Sequence, residues 1–145
     1  MAHAFALEIY ALGSVDLKAP TLARMYKENA GQLDATTTKR VNETLKVMTS
    51  VQNHSCKAIK TKWGFTDVYA ALSKHSGTID EKDVAQRYAT FETKRRRHLA
   101  KPDALLQRPH LDRGLYDYIA AFQTSGAEKK NVAKRVDVLS KKLFP

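Results

Sequence analysis

The chain has 145 residues, with 25 Lys and Arg against 15 Asp and Glu, giving a formal net charge of +10. That length fits one compact domain, or two or three small units packed together, and buries enough surface to need no metal or disulfide as a staple. A hydrophobic share of 43% with six Gly and four Pro excludes a disordered or linker-rich chain, and a single cysteine, Cys56, excludes an intramolecular disulfide and suits a reducing, intracellular compartment.

The N-terminal stretch Met1 to Tyr10 is apolar, but no Lys or Arg precedes it and Glu8 interrupts it, so a signal peptide is not expected. No apolar run approaches the roughly 20 residues that span a bilayer, so no membrane partner is expected either. From there a helical apolar period runs through most of the chain, without the alternation of a half-buried strand. The expected fold is therefore all-α: a compact multi-helix domain built of two or three helix-turn-helix-like units, with at most a small β wing. Gly and Pro punctuate the chain at Gly13, Pro20, Gly31, Gly64, Gly77, Pro102, Pro109 and Gly126.

Between these marks one short arrangement recurs three times. Tyr10-Ala11-Leu12 is followed by Leu22 to Tyr26. Tyr69 to Leu72 is followed, after Ser76-Gly77, by Val84 to Tyr88. Ile119 to Phe122 is followed, after Ser125-Gly126, by Val132 to Val136. Each copy reads as an apolar helix, a turn, and a second helix that opens small and apolar. The corresponding division is an N-terminal helical unit over 1–62, a helix-turn-helix-like unit over 63–110 and a C-terminal helical pair over 111–145.

The second copy resembles a helix-turn-helix unit of the winged-helix superfamily over residues 77–99. The approach runs from Gly77 to Tyr88 with Asp80 as N-cap, Ala89-Thr90 stands at the turn, and Phe91 to Leu99 is the recognition helix. Ala89 departs from the Gly that this superfamily prefers at its turn. The resemblance implies a helix presented to the major groove of DNA. The first copy reads similarly: a helix over Thr21 to Asn29, a turn over Ala30 to Leu33, and Asp34 capping a long helix from Ala35. The third copy leaves only a stub, Leu139 to Phe144, for a recognition helix.

Charge follows these units unevenly. Residues 1–30 are neutral, 63–91 and 114–125 each carry −1, and 31–62, 92–113 and 126–145 each carry +4. The excess falls where recognition helices or their flanks would lie, as nucleic-acid binding requires. The densest patch is Thr93, Lys94, Arg95, Arg96, Arg97 and His98 with Lys101, from which some side chains reach phosphates and others base edges; its bland reading is a solvated charged helix. A second patch joins Thr36, Thr37, Thr38, Lys39 and Arg40 at a helix start, where hydroxyls and cations suit phosphate, although Thr and Asp also cap helices. The third is Lys57, Lys60 and Lys62 beside Trp63; an aromatic there could stack on a base, but a core anchor is the preferred reading for a lone Trp.

His54 and Cys56 have no second pair at zinc-finger spacing. No phosphate loop, nucleophile elbow or other catalytic constellation occurs. Asp80, Glu81 and Asp83 answer the helix dipole at a helix start rather than ligate a metal. Neither enzyme activity, cofactor nor metal is expected. The leading expectation is a nucleic-acid-binding protein, DNA ahead of RNA, acting as a regulator or as an accessory factor in replication, recombination or packaging. The alternatives are a basic helical subunit of a nucleoprotein or CRISPR-type effector complex, contacting backbone without reading bases, and a protein–protein adaptor or inhibitor.

Overall fold

The computed structural model describes residues 1–30 and 34–145. Among them are seven α-helices and one 3-10 turn, and no strand. The all-α expectation therefore holds, and no β wing forms among the described residues. No helix there is long and apolar enough to cross a membrane.

Four of the helices described start at a side chain that accepts a free N–H of the first turn. α1 is Ala2–Ile9. Tyr10-Ala11-Leu12, expected within a helix, lies beyond its end, since Tyr10 is already extended (φ −106°, ψ 135°). α2, Ala19–Glu28, carries Pro20 in its first turn, where a missing N–H costs nothing. α3, Ala35–His54, is capped by Asp34, whose carboxylate accepts the Thr37 N–H at 2.8 Å. The turn expected over Ala30 to Leu33 falls largely on residues 31–33, outside the described residues. α4, Lys62–Lys74, is capped by Thr61, which accepts the Gly64 N–H at 2.9 Å. α5, Glu81–His98, opens at Asp80, which accepts from Lys82 and Asp83. With Glu81 and Asp83 in its first turn and Arg95 to His98 in its last, α5 suits the helix dipole at both ends. A 3-10 turn, Pro102–Leu106, leads to α6, Arg113–Ser125, capped by Asp112, and α7, Lys129–Leu143, follows.

The turn expected at Ala89-Thr90 is absent, because α5 runs unbroken through both residues. Neither residue is Gly or Pro, and the Thr90 hydroxyl donates to the Gln86 carbonyl at 2.9 Å, so nothing there ends the helix. The expected stub at Leu139 to Phe144 is likewise the end of a continuous α7.

The core is built around α4, which buries Val68, Tyr69, Ala70, Ala71 and Leu72 in succession. A helix buried nearly all round must be central, and α4 packs on α3, α7 and α1. α6 and α7 pair as a hairpin, whereas α5 packs on α3 and α7. The three similar copies thus differ in how their helices pair. One cluster joins residues from α1, α3, α4, α5, α6 and α7, among them Val41, Tyr88, Phe91, Tyr118 and Leu139. A second joins Ala6, Leu17 and Met25 to Ala70, Val132 and Val136. Residues from all three sequence divisions share these clusters. The N-terminal arm is also tied down by two hydrogen bonds: the Leu17 N–H donates to the Ala127 carbonyl at 2.7 Å, and the Lys129 N–H to the Asp16 carboxylate at 2.7 Å.

Beneath α5 lies a buried polar network. Arg135 on α7 and Asp67 on α4 are both fully buried and bonded through two nitrogens, at 2.8 and 3.0 Å. Tyr118 donates to the same carboxylate at 2.7 Å, and Arg135 also donates to the Gly126 carbonyl. The Arg135 guanidinium lies over the rings of Trp63 and Phe122, at 5.5 and 5.8 Å from their centroids. Trp63 is accordingly a half-buried packing residue against the second cluster, as the core reading had it.

Candidate nucleic-acid interface

α5 turns by about 100° per residue, so positions three and four apart line up in rows. Val84, Tyr88, Phe91, Arg95 and His98 form one row, and all are buried. Asp83, Arg87, Thr90, Lys94 and Arg97 form the neighbouring row, about 100° further around the helix, and are fully or partly exposed. The basic run 94–97 is thereby divided between buried and exposed positions.

Arg95 is only 4% exposed and faces inward. Its Nε and Nη2 donate to Glu92 at 2.7 and 2.8 Å, and its guanidinium lies 5.0 Å from the Phe122 centroid. The expectation that Arg95 contacts nucleic acid is therefore corrected: Glu92 neutralises it inside the protein. His98, 8% exposed, closes the groove floor beside His110 (ring centroids 5.6 Å apart) and does not project as a contact. Arg96 is half exposed but donates to Glu92 at 2.8 Å, away from the outer row. Burial pushes the Glu92 carboxyl upward, yet the hydrogen bonds from Arg95 and Arg96 outweigh it and hold the carboxyl below its ordinary range. Thr93, Arg97 and Lys101 are exposed as expected, and Arg97 makes no ion pair among the described residues.

Two adjacent surface pockets flank the outer row and together form the groove considered below; they have volumes of about 400 and 460 Å³ and share Thr90 and Lys94. Asp83, Arg87, Asp112 and Lys142 line the first, where Arg87 Nε donates to Asp83 at 2.7 Å, and Thr93, Arg97 and His110 line the second. In the first pocket, lysines from two helices converge on one carboxylate: Lys94 Nζ lies 2.9 Å from Asp112 Oδ2, and Lys142 Nζ 3.1 Å from the same oxygen. Asp112 Oδ1 accepts the Leu115 N–H at 3.0 Å. Burial would raise the Asp112 carboxyl, but Lys94, the Leu115 N–H and Lys142 together hold it below the usual carboxylate range.

Arg87, His110, Asp112 and Lys142 are site residues that the basic run did not reveal. Arg87 was legible, seven positions before Lys94 on the same row. Lys142 and Asp112 were not, because only the packing of α6 and α7 brings them to α5.

The other two patches lie apart from this groove. At the start of α3, Thr37 is 5% exposed and its hydroxyl donates to Asp34 at 2.6 Å, so it caps the helix and is unavailable as a phosphate contact. Thr36, Thr38, Lys39 and Arg40 reach the surface to differing degrees. Arg40 pairs with Glu8 at 3.2 Å, and Lys39 lies 3.9 Å from Glu43. Lys57, Lys60 and Lys62 are exposed around the turn between α3 and α4, with Lys62 Nζ 4.6 Å from the Trp63 ring centroid. The site residues that remain together are therefore Thr93, Lys94 and Arg97, joined by Arg87, Thr90 and Lys142. No family model, no characterised protein and no solved structure matches the chain.

Proposed function

We propose that the protein binds nucleic acid, duplex DNA ahead of RNA, along the groove beside α5. The observation that carries this reading is the row Arg87, Thr90, Lys94 and Arg97, which lines one groove together with Lys142 from another helix. From Arg87 to Arg97 the row spans about 15 Å at the rise of an α-helix, enough to follow several phosphates of one strand. The net charge of +10 adds long-range attraction for a polyanion.

Roles follow from placement. Arg87, Lys94 and Lys142 line the first pocket, which suits backbone phosphates. Thr90, Thr93 and Arg97 line the second, where a hydroxyl and a guanidinium can meet base edges; Arg bonds guanine through two nitrogens. Arg95, His98 and Thr37 take no part.

The test is fluorescence anisotropy with duplex DNA, single-stranded DNA and RNA over a salt series. Duplex affinity should fall steeply with salt, and Lys94→Gln should flatten that dependence by about one unit of slope. Arg97→Ala should weaken binding by about tenfold. Equal affinity for every duplex, before and after Arg97→Ala, would reassign the groove to backbone contact without base reading. No binding at low salt would overturn the proposal and leave the protein–protein adaptor as the better reading.

A further inference from the structure

The first pocket of the groove is not an open cationic surface, because Asp112 already stands between its two convergent lysines. Lys94 comes from α5 and Lys142 from α7, 48 residues apart in the chain, yet both reach the same carboxylate oxygen, at 2.9 and 3.1 Å. Two ammonium groups from separate helices meeting at one oxyanion form the arrangement that would hold a backbone phosphate. Asp112 cannot simply swing away to admit one. Its other oxygen caps α6 through the Leu115 N–H at 3.0 Å, and its side chain is only 12% exposed. Any phosphate reaching Lys94 and Lys142 therefore shares them with a resident negative charge a few ångströms away.

We infer that Asp112 is a built-in competitor that weakens the grip of Lys94 and Lys142 on nucleic-acid phosphate and keeps binding rapidly reversible. The inference rests on the function proposed above. Of the three charges that meet at this point two are positive and one negative, so the net attraction is that of a single cation. The same carboxylate holds both ammonium groups in place. The site is thus ordered before ligand arrives, at the expense of affinity, and like-charge repulsion between Asp112 and phosphate speeds release.

Asp112→Asn and Asp112→Ser are the decisive variants, because both residues cap helices well and spare the Leu115 contact. Each should bind duplex DNA about tenfold more tightly than the parent at moderate salt, with a salt dependence steeper by about one unit of slope. Lys142→Gln should cost about twofold in the parent, where Asp112 occupies the lysine, and about tenfold in the Asp112→Asn background. A role confined to helix capping would shift thermal melting and leave this coupling at zero. Parent and variants binding with equal affinity, or the variants binding more weakly with melting unchanged, would overturn this role and leave the proposed function standing. No salt-sensitive binding by parent or variant would overturn both.

Discussion

Four adjacent cations, Lys94 to Arg97, meet four different fates within one turn of helix. Lys94 pairs with Asp112, Arg95 is buried on Glu92, Arg96 reaches the same Glu92 from its exposed side, and Arg97 stands free of ion pairs. Charge counting along the sequence treated them alike; the row to which each belongs decides the matter. Arg95 follows Val84, Tyr88 and Phe91 at helical spacing, so its burial was legible from phase, although the apolar character of that row ends at Phe91. Glu92 stabilises this arrangement only while ionised. Its carboxyl lies below its ordinary value in the folded protein, so its contribution is complete above about pH 4.5 and is lost as pH falls through the lower, folded value. Glu92→Gln, which leaves Arg95 buried beside a neutral amide, should lose about 3 kcal/mol at neutral pH. Urea unfolding should show the gap between parent and variant narrowing as pH falls below about 4.5 and through the lower, folded value. A constant gap would mean that the pair contributes through shape rather than charge.

Among the elements, the capped starts were the most legible. Asp34, Asp80 and the residues after them have the chemistry that N-termini require, and both caps sit as expected. The division of α5 at Ala89-Thr90 failed for the converse reason: the sequence contains no residue there that stops a helix. The turn from α6 to α7 follows a different logic. Gly126 has an ordinary backbone conformation, so it serves by lacking a side chain. A Cβ there would lie 2.6 Å from Trp63 Nε1 and 2.8 Å from Cε2. Gly126→Ala should therefore displace the indole, disturb the Arg135 guanidinium stacked on it, and cost about 1–3 kcal/mol of stability. Thermal melting with Trp63 fluorescence checks this; a full-stability variant with unshifted emission would show that the indole has room to move.

For the whole molecule, the three sequence divisions were expected to pack as one compact body, and it is pairing between distant helices that joins their residues in shared clusters. α4 lies against α3 and α7, Ala70 shares a cluster with Ala6 and Val136, and Asp67 is tied to Arg135. None of these juxtapositions leaves a local signature, because each depends on residues far apart in sequence meeting across a core. The same holds for the groove: its α5 wall could be read from helical phase, whereas Lys142 and Asp112 could not. Shared clusters make unfolding a single event. Far-UV circular dichroism and Trp63 fluorescence should give coincident denaturant transitions, since Trp63 packs on residues from both ends of the chain. Separated midpoints would show that one division holds a core of its own.

The tie between Asp16 and Lys129 joins residues 113 apart. On a ribosome adding about 5–20 residues per second, the N-terminal arm therefore waits on the order of ten seconds for the backbone that secures it. During that interval Leu17 and Met25 lack Val132 and Val136, the α7 members of their cluster. The newly made chain thus leaves Leu17 and Met25 incompletely covered, open to chaperones and proteases, until α7 has emerged.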